Sequence, residues 1–221
     1  MTLAKTKSQE VTRTIAGIVV PDTALIGSAI DYARRYCEPY LFNHSMRSWL
    51  FAIALAELRK AEYDAEVLAV ATLLHDIGLT KAFEGPLRFE VEGANAARTF
   101  ARKQGVGEER SRLIWDGVAL NSTPSIALHM EGEVALSTAG IGLDWGGWGI
   151  ETLSKGQVEM IVDEFPRLDM KQQFTRAVCG VVKTRPATTY DNFARDFGDR
   201  FVPGYQRPSA VDLLMAAPFK E

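Results

Sequence analysis

Along most of this chain apolar positions recur at intervals of three and four, the period of a helix with one buried face. In PDTALIGSAIDYARRYC, residues Ala24, Leu25, Ala29, Ile30 and Tyr32 fall at such intervals behind a Pro-Asp start. HSMRSWLFAIALAELRKAEY is rich in Ala and Leu, with its charges gathered at the C-terminal end, and predicts a long helix. DAEVLAVATLLHDIGL follows, with Asp64 as N-cap, Glu66 in the first turn and Gly78 beyond the end. Further helices are predicted at VEGANAARTFARKQ, EERSRLIWDGVAL, GEVALSTAGIGLDW and SKGQVEMIVDEF, the last opening on Ser154 and Gln157 at capping-box spacing. MKQQFTRAVCGVVKT and TYDNFARDFGDRFV complete the set, and Gly85-Pro86, Pro124, Gly146-Gly147 and Pro186 mark turns between them. No alternating run of useful length suggests a strand. The pattern predicts an all-α globular domain of roughly eight to ten helices.

There is no repeat, low-complexity tract or evident linker, so the 221 residues read as a single domain. Residues 1–22 form an N-terminal extension and about 188–221 a C-terminal extension packing on the domain. That last segment either caps a pocket or makes a dimer contact, so a homo-oligomer stays open. A hydrophobic fraction of 47% and a charged fraction of 24% are ordinary for a globular chain. A net charge of -3 gives no basic footprint and argues against nucleic acid, while leaving room for a small-molecule substrate, even a phosphorylated one. The apolar IAGIVV is too short for a signal core or a membrane span, which points to a cytoplasmic protein with no membrane partner. Cys37 and Cys179 are not spaced as a metal or redox pair and read as reduced, buried thiols. The early KTKSQE and the terminal KE read as solvated charge.

Only three histidines are present: His44, His75 and His129. His75 and Asp76 lie side by side where an apolar helical run ends. Inside a helix adjacent side chains diverge by about 100°, but at a helix end they can converge on one target. A metal there is one reading, and a buried histidine bonded to a backbone carbonyl is the other. His44 stands near the start of the preceding helix, and two antiparallel helices joined by a short turn can bring the two ends together.

A His, then a His-Asp pair closing the next helix, then a later Asp resembles the HD-domain metalloenzyme superfamily. FNHSMRSWLFA, ATLLHDIGLT, RFEVEGANAAR and GEVALSTAGIGLDWGG fall in the order and approximate spacing of its cyanamide hydratase-like branch, over about residues 25–185. The resemblance implies His44, His75, Asp76 and Asp144 as ligands of one divalent ion, Zn²⁺ first, with Fe²⁺ or Mn²⁺ as alternatives. Dinuclear relatives carry further histidines; this chain has none from 77 to 128 and reads Asn121 where many relatives have one, which implies a mononuclear site. Asp76 is also placed to move a proton. His129 is either a proton donor to substrate or a loop residue, and Arg47 either an anion-binding group or the clamp of a ligand carboxylate. Glu90 either orients a ligand or lies on a solvated face. Phe42, Trp49, Trp145 and Trp148 flank the proposed ligands and belong either to the core or to the wall of a pocket, Trp145 directly following a proposed ligand.

Three functions fit this pattern. The four-segment resemblance implies water addition to a small nitrile, cyanamide giving urea, or a related C–N hydrolysis. A phosphohydrolase acting on a nucleotide or small phosphomonoester would need cations at the pocket, where Arg47, Lys81 and Arg88 are the candidates. A non-catalytic binding module would have little reason to keep four ligands.

Overall fold

The computed structural model describes residues 11–219, so the KTKSQE run and the terminal Lys220 and Glu221 lie outside the described residues. A hairpin of β1 (Thr12–Ile15) and β2 (Ile18–Pro21) precedes the helices, with Ile15 opposite Ile18 in antiparallel register. Its turn residues Ala16 and Gly17 both have positive φ, 48° and 77°, as a two-residue hairpin loop demands. The IAGIVV stretch is therefore mostly strand. Only Ile18 and Val20 alternate inward, too short a run to announce itself by periodicity.

The helices are α1 (Ala24–Tyr36), α2 (Pro39–Arg59), α3 (Ala65–Leu73), α4 (Phe89–Lys103), α5 (Glu108–Ala119), α6 (Pro124–Ala127), α7 (Gly132–Gly146), α8 (Lys155–Glu164), α9 (Met170–Thr184), α10 (Ala194–Phe201) and α11 (Ala210–Met215). Among the described residues none is long and apolar enough to cross a membrane. The fold is all-α. Of the eleven helices among the described residues, α6 and α11 are pieces of four and six residues, too short to show a period.

α2 and α3 are the interior. From Tyr40 to Ala56 nearly every residue of α2 is buried, and Val67 to Leu73 of α3 are buried without exception. Helices apolar on all sides belong inside, and the amphipathic α1, α4 and α9 lie around them. α7 presses closely on α2: a Cβ on Gly140 would overlap the Ser48 carbonyl and crowd Ala52. The chain after α3 is held as tightly. Two short 3-10 turns, Ile77–Leu79 and Lys81–Phe83, follow, and a Cβ on Gly78 would collide with the Phe89 carbonyl at the start of α4. This contact fixes where the residues just beyond α3 sit.

Local signals hold where they were read. The Asp64 carboxylate accepts from the Glu66 and Val67 amides at 3.1 Å each, and Arg110 donates to it from α5 at 2.7 and 2.9 Å. Ser154 and Gln157 form the reciprocal capping box of α8. Partial burial alone would raise the Asp64 pKa, but Arg110 and the two amides outweigh it and hold the carboxyl below its ordinary value. Asp64→Ala is expected to cost about 1–2 kcal/mol. Because the folded-state pKa is depressed, the difference from wild type should be constant above about pH 4 and should close as the pH falls through the depressed value, in urea unfolding at a series of pH values.

Candidate metal centre

His44 lies in the second turn of α2, and His75 and Asp76 lie just past the end of α3, where Leu74 and Asp76 have left helical geometry. The two imidazoles meet with Nε2 atoms 3.1 Å apart. Released from the helix, His75 and Asp76 converge, with His75 Nε2 3.1 Å from Asp76 Oδ2 and His44 Nε2 3.6 Å from the same oxygen. All three are buried.

The far side of each ring fixes which nitrogen faces the cluster. His75 Nδ1 lies 2.8 Å from the Thr72 carbonyl oxygen, which can only accept, so Nδ1 carries hydrogen and Nε2 keeps its lone pair. His44 Nδ1 donates to Asp144 Oδ2 at 2.6 Å, with the same consequence. Burial lowers the His44 pKa more than Asp144 raises it, so this ring favours the neutral form. Burial also pushes His75 down, but Asp76 beside it wins and raises it; Asp76, pushed up by burial, is drawn below its usual value by His75 and His44. A metal therefore competes with a proton on His75, and loading strengthens as pH rises.

Asp144 is not part of this cluster. Arg47 grips it through Nε to Oδ1 at 2.6 Å and Nη2 to Oδ2 at 2.8 Å, and Arg167 reaches Oδ1 at 3.1 Å. With His44 this makes four donors on two oxygens, which uses every lone pair a carboxylate has. Burial raises the Asp144 pKa, yet these donors hold it far below the ordinary range. Asp144, expected as a fourth ligand, lies against His44 Nδ1, on the side of the ring away from His75 and Asp76. Arg47 has no solvent contact and also donates to the Phe165 carbonyl at 2.7 Å, so it is a clamp rather than a substrate-binding group.

A cavity of about 240 Å³ opens over the three donors. Asn121 and Trp145 line it; Asn121 donates to the Val118 carbonyl at 2.6 Å. Glu90 sits one residue behind the wall, accepting from Ser122, which lines the cavity, at 2.6 Å and from Arg88 at 2.9 Å. Phe42, Trp49 and His129 are elsewhere. Phe42 is two residues from His44, about 200° round the helix, and borders a separate depression with Arg34 over its ring at 4.4 Å. Trp49 is wholly buried core. His129 is exposed in the turn between α6 and α7 and does not line the cavity. The wall includes residues that sequence reading passed over: Pro124, Ile141, Phe174 and Phe193. Ile141 and Trp145 share a helical face, a legible signal; Phe174 and Phe193 come from distant segments and gave none.

The donors fit a divalent ion. Nitrogen and oxygen ligands at about 2.0–2.1 Å in tetrahedral array stand roughly 3.3 Å apart, and the three separations here are 3.1, 3.1 and 3.6 Å. His44, His75 and Asp76 would hold the ion and leave a position open toward the cavity. His75→Ala should abolish stoichiometric metal loading, measured by elemental analysis. Asp144→Asn should keep one metal per chain while weakening affinity about 10–100-fold in competition titrations. Arg47→Ala removes two of the four donors to the buried Asp144 carboxylate and should lower stability by up to about 3–5 kcal/mol in urea unfolding. Arg47→Lys, lacking the two-pronged donor geometry, should recover only part of the loss.

Comparison with known families matches residues 41–152 to the model described as HD domain. No curated protein matches the chain significantly.

Proposed function

This chain belongs to the HD domain family, and on that footing we propose that it is a metal-dependent enzyme adding water to a small neutral substrate at a carbon–nitrogen bond. The reaction is nitrile hydration of cyanamide type or a related C–N hydrolysis. Family membership and the His44, His75 and Asp76 cluster support the coarser reading, a metal-dependent hydrolase-type enzyme. One observation carries the finer one: among the described residues, no lysine or arginine lines the cavity. The nearby cations are spent on carboxylates, Arg47 and Arg167 on Asp144 and Arg88 on Glu90 and Asp191. A phosphomonoester would enter a cavity lined by no lysine or arginine to meet its charge. A binding module has no need of two histidines whose tautomers are set to present lone pairs to one point.

A divalent ion, Zn²⁺ first and Fe²⁺ or Mn²⁺ as alternatives given ligands without thiolate, supplies Lewis acidity and makes water a better nucleophile near neutral pH. Asp144 and the Thr72 carbonyl keep His44 and His75 from turning. In hydration, the oxygen of water bonds to the nitrile carbon as the first C–N π bond breaks and one proton passes to nitrogen; the second proton then moves from oxygen to nitrogen as the remaining C–N π bond is exchanged for C=O. Asp76 is the base that takes a proton from water and returns it to nitrogen. The aromatic wall keeps bulk water away from that transfer. The same reading treats residues 1–221 as one domain, whose segment from about 188 packs on it through α10 and contributes Phe193 to the wall.

The test is metal content and turnover on one preparation, purified without chelator or histidine tag. One metal per chain, with urea formed from cyanamide and no phosphate released from nucleoside monophosphates, is the expected result, and Asp76→Asn should lose turnover. Phosphate release without urea would transfer the protein to the phosphohydrolases.

A further inference from the structure

The cavity is larger and more aromatic than cyanamide requires. Its volume of about 240 Å³ is about eight times the roughly 30 Å³ that one water occupies in the liquid. The N–C–N skeleton of cyanamide fills well under half of that. The remainder is bounded by Trp145, Trp148, Phe174 and Phe193, with Ile141 and Pro124 beside them. Phe174 and Phe193 are stacked, with centroids 6.2 Å apart and planes inclined by 17°, and Trp145 meets both edgewise at 6.4 and 6.1 Å. His44 joins this wall to the donor cluster, its ring 6.4 Å from Phe174.

Such a wall rewards apolar surface and penalises polar hydrogens left without acceptors. Asn121 and Ser122 also line the cavity, but against the rings the free amine of cyanamide would lack the acceptors that water offers. A flat apolar group would take edge-to-face contacts on several sides. Building on the proposed nitrile chemistry, we infer that the preferred substrate is a neutral nitrile bearing an aromatic ring, with the nitrile over His44, His75 and Asp76 and the ring between Trp148, Trp145 and Phe193. Water adds to the nitrile carbon as above and the product is the aryl amide, so atoms balance with no further reactant. The floor sets the reaction and the wall sets the substituent.

The experiment uses the metal-loaded protein and follows tryptophan fluorescence on titration with benzonitrile, cyanamide and phenyl phosphate. Amide and urea are assayed in parallel. Benzonitrile is expected to bind at least tenfold more tightly than cyanamide, and more tightly than phenyl phosphate. The preference should collapse in Trp148→Ala, which alters a half-exposed side chain, and in Phe193→Ala, with the unfolding midpoint of each variant checking its fold. Equal binding of benzonitrile and cyanamide, or a preference that survives both variants, overturns the inference. The assays separate its failure from that of the hydration reading. Selective binding of benzonitrile with no benzamide formed leaves the aromatic selectivity standing and removes the hydration chemistry. Urea production without benzonitrile binding does the reverse.

Discussion

Arg47 carries a full positive charge at a position with no access to water, and much of the molecule is arranged to answer it. Stranding such a charge costs several kcal/mol, so its partner has to be in place whenever the chain is folded. The partner, Asp144, comes from α7, nearly a hundred residues on, and the pairing is two-pronged. That geometry sets both the rotation and the register of α7 against α2. Gly140, one turn earlier on α7, is what allows the approach, since the Ser48 carbonyl occupies the space a side chain would need. The same guanidinium binds the Phe165 carbonyl and ties down the end of α8. His44 is then aimed by whatever acceptor capacity Asp144 has left.

This arrangement explains what could be read in the sequence and what could not. Helix ends were legible because their signals are local: Asp64 caps α3, and Ser154 with Gln157 caps α8, by hydrogen bonds spanning three residues. The meeting of His44 with His75 and Asp76 was legible because an antiparallel helix pair leaves few alternatives. Asp144 was read as a fourth ligand, and its place beside the His44 ring depends on how many donors surround it. Arg167, a donor from the α8–α9 connection, is invisible to spacing. Phe42 failed through helical phase, lying next to the right residues on the wrong face. His129 sits in an exposed turn, the loop alternative, a choice that histidine chemistry alone does not make because it says nothing about exposure. The hairpin escaped because its inward alternation lasts only three residues.

The site divides its labour sharply. Its floor is polar, fully buried and internally satisfied; its wall is apolar, and two of its rings, Trp145 and Trp148, remain 40% and 50% exposed. Fixed dipoles and lone pairs converge on one end of the cavity, and the other end is shaped by dispersion and shape alone. Arg47, Arg167 and Arg88 are each paired with carboxylates outside the cavity, so none of them adds its charge to the cavity lining.

Phe174 and Phe193 close the wall from parts of the chain that bond to none of the three donors. Selection can therefore act on them almost independently of the floor. Exchanging Phe193 for a smaller or polar residue changes which molecules are admitted and leaves the His44, His75 and Asp76 geometry under the control of Thr72, Asp144 and Arg47. A lineage built on this plan can change its diet by small steps near the end of the chain, without passing through an intermediate that has lost its chemistry.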